Sequence, residues 1–171
     1  MASYRAAVLC VVSLVAGGPT IGATEGPSTG IRPLTFLIGT WHGKSDDGKL
    51  IHARYTLTSG DSSIMETLTP EGQPGMTTAY HADGSHLMLT HFCSLNNQPR
   101  MRAHEFKDGD KTLTFEFIDA TNLKHPTDAH MHRVVFEFKD HDHIVQTWFL
   151  MKDGKELPHT FTFSRVKQEG P

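Results

Sequence analysis

Histidine dominates the chemistry open to this chain: 12 of its 171 residues are His, and His130 and His132 stand two apart within an alternating apolar run. On a strand, residues i and i+2 share a face, so the two imidazoles would point the same way. A third ligand from a neighbouring strand would complete a divalent-metal site with one position open to water or substrate. His159 and His91 lie in comparable runs and could supply that ligand, with Asp119 as a further ligand or as the acceptor that orients one. Inward histidines can equally hydrogen-bond to one another, to Asp119 or to water, with no metal at all. The histidines near turns, such as His141 and His143, read as solvated.

Arg100 and Arg102 also share a face and follow Asn96-Asn97-Gln98-Pro99. Together these residues could grip a carboxylate or phosphate. The same segment reads as well as a long hairpin loop with turn-stabilising Asn side chains and solvated arginines. Nucleophilic catalysis has less support. Cys93 shares a face with His91, but no oxyanion donor or orienting acid can be placed beside them, and Ser94 points away from His91. The chain has no P-loop, no Gly-x-Ser-x-Gly elbow and no Cys-x-x-Cys motif.

The elements that must position these residues are short strands. Asp-Gly recurs at 47–48, 83–84, 108–109 and 153–154, with further breaks at Ser59-Gly60, Pro70 to Gly75, Asn96-Asn97 and Asp140-His141-Asp142. Such spacing describes hairpins and leaves no room for crossover helices. Ten strands follow, over 36–45, 50–58, 62–69, 76–82, 86–94, 100–107, 111–119, 130–139, 143–151 and 158–167. An all-β, antiparallel up-and-down barrel closes such a sheet and removes its edges, and a two-sheet sandwich is the alternative. Alternation points Leu113, Phe115, Phe117 and Asp119 inward, with Val134, Phe136, Phe138, His130 and His132, and with His159, Phe161, Phe163 and Arg165. Counting strands up and down brings Trp41 and Arg165 to one end and His91, Asp119, His130, His132 and His159 to the opposite mouth. Asn96 to Arg102 reach that mouth too.

The N-terminal stretch reads as an export signal over 1–23. Arg5 precedes an apolar run from Ala6 to Ala16, too short to span a bilayer, and Ile21-Gly22-Ala23 offers a cleavage site. A flexible arm over 24–33 and one domain over 34–168 complete the chain, which is expected to be exported, periplasmic or secreted, with no membrane anchor. With 16 Lys and Arg against 19 Asp and Glu, the formal net charge is −3, which excludes a nucleic-acid footprint. Only Cys93 would remain after cleavage, so no intramolecular disulfide is expected.

Gly39-Thr40-Trp41 at the start of the first strand, with Arg165 on the last, resembles the signature of the calycin superfamily of lipocalins, fatty-acid-binding proteins and nitrobindin-like haem barrels. The whole arrangement, including the segment His91 to Arg102, also resembles a group of exported bacterial lipocalin-like proteins of unassigned activity. The resemblance implies structural roles for Gly39, Trp41 and Arg165, the Arg lying over the indole. Nitrobindin-like barrels begin Gly-x-Trp-x-Gly-x-Gly and ligate haem through a late His, for which His159 is the counterpart. Here Ser45 replaces the last Gly.

Three functions are compatible with these residues. One is a barrel that binds a small, partly apolar ligand with a polar or anionic end, met at the mouth by His91, Arg100, Arg102, Asp119, His130, His132 or His159. A second is a metal- or haem-dependent protein, with enzymatic activity open, built on His130, His132 and His159. A third is a filled barrel serving as a scaffold, since the inward Phe side chains fill a core as readily as they line a cavity.

Overall fold

The computed structural model describes residues 30–107 and 109–167. Ten strands form: β1 (Gly39–Ser45), β2 (Leu50–Thr58), β3 (Ser63–Pro70), β4 (Met76–Asp83), β5 (His86–Phe92), β6 (Gln98–Ala103), β7 (Thr112–Thr121), β8 (His130–Phe138), β9 (His143–Lys152) and β10 (Lys155–Arg165). Each pairs antiparallel with its chain neighbours, and β1 pairs with β10, so the sheet closes into an up-and-down barrel. The described sheet therefore has no edge strand. Period-two alternation puts Leu113 and Phe115 of β7, Val134 and Phe136 of β8 and Phe163 of β10 in the core, each at most 1% exposed. Among the described residues no helix is long and apolar enough to cross a membrane.

One end of the barrel is plugged. Arg32–Leu37 forms a 3-10 helix with Pro33 in its first turn, where a missing N–H costs nothing. Strand β1 therefore starts at Gly39 instead of residue 36. Gly39 has φ +127°, a backbone region that favours glycine, and it turns the chain from plug into strand. Ile31, Leu34 and Leu37 are completely buried, so the end of the arm expected over 24–33 belongs to the core. Residues 24–29 of that arm, and the expected signal over 1–23, lie outside the described residues.

Trp41 is completely buried, and its Nε1–H donates to the Leu37 carbonyl at 2.8 Å. The Arg165 guanidinium covers the indole at 4.2 Å from the ring centroid, while Nη1 donates to Ile38 O at 3.0 Å and Nη2 to Phe36 O at 2.5 Å. First strand, plug and last strand are thus tied at one point.

The seam between β1 and β10 is tight. A Cβ added at Gly43 would stand 2.3 Å from the Thr162 carbonyl oxygen and 2.6 Å from the Phe163 ring. Because one of those atoms is backbone, Gly43→Ala is expected to cost about 1–3 kcal/mol, the usual scale of overpacking, and a urea melt reads it directly. An unchanged midpoint would mean that the seam can part without loss.

Candidate functional site

At the unplugged mouth lies a cavity of about 320 Å³. Its apolar wall comes from Leu68, Met76, Met131 and Phe161; His91 and Trp148 line it too, and Lys49 and His159 are among its polar residues. A groove of about 550 Å³ near Gly30, Ser85 and Arg102 lies outside the barrel at the other end, and its polar side chains are solvent-exposed.

Two β-bulges decide where the other predicted residues go. Met101 pairs with Phe117 but Arg100 pairs with Asp119, so Ile118 is an extra residue in β7. An extra residue resets the alternation, and Asp119 turns to the outer face, its side chain 46% exposed. There it accepts two hydrogen bonds from Arg100, with Nε to Oδ1 at 2.6 Å, and these hold its carboxyl below the usual range. Arg102 is also on the outside, with Asp83 at 3.9 Å. Arg100, Arg102 and Asp119 therefore do not serve the mouth.

The second bulge lies in β8, where the register shifts between Met131 and Arg133. Met131 takes the inward place opposite Leu150 and lines the cavity. His130 and His132 instead pack on Phe117, with ring centroids 4.5 and 5.1 Å from it. His130 Nδ1 lies 2.7 Å from the Asp128 carbonyl, which only accepts, so Nδ1 carries the proton. Its Nε2 then accepts from His132 Nδ1 at 3.3 Å. His159, the third residue of the metal reading and the counterpart of a haem ligand, is exposed at the cavity rim. The three histidines do not fit a shared metal, and no group of three His, Cys, Asp or Glu suited to an ion exists among the described residues.

His91 is different. It is 1% exposed on β5, packed against Trp148 with centroids 4.5 Å apart, and its Nδ1 lies 2.9 Å from Thr78 Oγ1. Its Nε2 is buried and has no hydrogen-bond partner. Burial pulls the imidazole down to about 4, so it is neutral at pH 7. In the unfolded chain the same ring titrates near 6.5, so between the two values the unfolded state holds more protons and stability falls as pH falls. His91 should add about 3 kcal/mol above pH 6.5, lost progressively towards pH 4. Urea melts across that window test this, with His91→Gln losing most of the pH dependence that this residue causes. Parallel curves for the two proteins would contradict it. Nearby Cys93 is 8% exposed, and burial pushes its thiol up, which makes it a poor nucleophile.

Beyond Trp148 runs a polar network that alternation alone would have revealed. Ile64, Glu66 and Leu68 share the inward face of β3, and Ile144, Gln146 and Trp148 that of β9. Glu66 is completely buried and accepts from Tyr55 and Tyr80, each at 2.7 Å, and from Gln146 Nε2 at 2.8 Å. Gln146 Oε1 in turn accepts from Trp148 Nε1 at 3.2 Å. Burial, then the Glu66 charge, pushes both phenols well above their ordinary range, so they remain donors. No salt bridge reaches Glu66 among the described residues, and its hydrogen-bond partners are all neutral donors.

Fold and cavity together define a class: a closed ten-stranded antiparallel β-barrel, compatible with a calycin-like fold, with a pocket at one mouth. No protein-family model matches this chain, and no curated protein is significantly similar to it.

Proposed function

We propose that this is an exported, lipocalin-like barrel that binds a small, partly apolar molecule in the mouth cavity, its polar end at His91. One observation carries the proposal: a buried, unpartnered imidazole nitrogen on the wall of an otherwise largely apolar cavity. Buried polar atoms are nearly always satisfied, so an orphan in a pocket marks where a ligand atom belongs. The cavity volume of about 320 Å³ suits a small molecule near the lower end of known pockets. A neutral polar end fits better than an anionic one, because Asp46 and Asp47 stand at the rim and Lys49 is already paired with Asp47 at 2.8 Å. Binding of this kind needs no metal, and no group of three His, Cys, Asp or Glu suited to an ion exists among the described residues.

Titration with the neutral fluorophore N-phenyl-1-naphthylamine tests this. The dye should bind the mature protein in the micromolar range and quench Trp148, and Met131→Trp, which fills the cavity, should abolish binding with the fold intact. Equal binding by the filled variant would place the dye elsewhere and sink the proposal. Export predicts a secreted or periplasmic chain that starts at Thr24, which intact mass measures.

A further inference from the structure

We infer that the cavity's ligand presents a hydrogen-bond acceptor of carbonyl type, received by a proton on His91 Nε2. The inference rests on the binding function proposed above and adds to it the chemical class of the ligand.

The tautomer of His91 follows from its neighbour. Thr78 and His91 are directly opposed on β4 and β5, and the Thr78 side chain is 1% exposed. A buried hydroxyl has one proton and must give it to an acceptor. His91 Nδ1 at 2.9 Å is placed to take it. Tyr80 gives its proton to Glu66 and its oxygen can still accept from Thr78, but the contact at hydrogen-bond distance from Thr78 Oγ1 is the imidazole. With Nδ1 accepting, the proton of a neutral ring resides on Nε2.

Nε2–H is then a buried donor without a partner on a residue that lines the cavity, and buried polar groups are nearly always hydrogen-bonded. Its complement is an acceptor oxygen. A ketone, ester or amide carbonyl fits, with the apolar remainder against Trp148, Met131 and Phe161. An alcohol oxygen can also accept, but its own proton must then find one of the polar groups at the rim, such as Asp46 or Gln73. A carboxylate would meet Asp46 and Asp47 at the rim, where Lys49 is already paired with Asp47.

The ring nitrogens report this directly. In uniformly ¹⁵N-labelled mature protein, the His91 imidazole, assigned by its loss in His91→Phe, should show a protonated Nε2 and a bare Nδ1. Butyrophenone, 1-phenylbutan-1-ol and butylbenzene are matched probes with an acceptor, a hydroxyl and neither. The ketone should shift Nε2 and bind about tenfold more tightly than the hydrocarbon, a preference lost in His91→Phe. Thr78→Val should raise the population with the proton on Nδ1, a readout that needs no ligand. A native ring protonated on Nδ1, a ketone that leaves Nε2 unmoved, or equal affinities would overturn the ligand class while leaving the cavity as a binding site. A ring protonated on Nε2 with none of the three probes bound would overturn the binding function itself.

Discussion

Trp41→Ala should remove about 3–5 kcal/mol of stability, the usual loss for a large aromatic fully buried in a core. Against the roughly 5–15 kcal/mol that a domain has in total, that loss is enough to populate the unfolded chain at moderate temperature. Two further costs come with the cavity. The Leu37 carbonyl loses its donor, and Arg165 loses the indole face under its guanidinium while its carbonyl partners at Phe36 and Ile38 sit on a plug that is no longer braced. Trp41→Phe separates these costs: it keeps a ring beneath Arg165 and deletes only the N–H, so it should lose about 1 kcal/mol plus the smaller ring's contacts. Denaturant melts of both variants give the comparison. Equal losses would mean that the indole hydrogen bond, and not the ring, secures the plug.

Glu66→Ala is expected to cost a similar amount, about 3–5 kcal/mol, for a different reason. The substitution opens a small void, but mainly it strands the Tyr55 and Tyr80 phenols, two buried donors that lose their acceptor, and leaves the Gln146 amide with Tyr55 alone. An unmet buried donor costs about 1–3 kcal/mol, whereas removing donor and acceptor together can be nearly neutral. Glu66→Met combined with Tyr55→Phe and Tyr80→Phe should therefore recover much of what Glu66→Ala loses, with Gln146 Nε2, which donates to Tyr55 and Glu66, as the remaining unmet donor. If the triple variant is as unstable as the single one, packing volume and not hydrogen bonding is what Glu66 supplies. Trp148 fluorescence adds a local reading, because the indole N–H donates to Gln146, which donates to Glu66.

The architecture was legible because turns are local. Asp-Gly and Asn-Asn pairs between alternating runs announce hairpins, and hairpins in series with no helix between them announce a barrel. The up-and-down count brought Trp41 and Arg165 to one end, and the resemblance put the guanidinium over the indole. Site residues were less legible, since alternation holds only where each strand keeps its register. The extra residue at Ile118 moved Asp119 outside and into an ion pair with Arg100, and the slip between Met131 and Arg133 gave the cavity to Met131 and took His130 and His132 from it. Nothing in the local sequence marks either bulge. Glu66 was different: a lone acid between Ile64 and Leu68 on an apolar face carries its own signal, as does Gln146 between Ile144 and Trp148. His91 stood in its predicted place, but its free nitrogen depends on what Thr78 does across the strand.

The clasp of Arg165 on the plug also has a kinetic side. Each hairpin from β2 to β9 pairs residues close in sequence, whereas Arg165 meets the Ile38 carbonyl across 127 residues. Loop-closure entropy makes such a contact costly until the intervening hairpins have formed and shortened the path between the ends. The chain can therefore build most of its sheet early, while two unpaired strand edges wait for each other. Closure of β1 on β10 is the step that commits the barrel, and until then both edges are open to other chains.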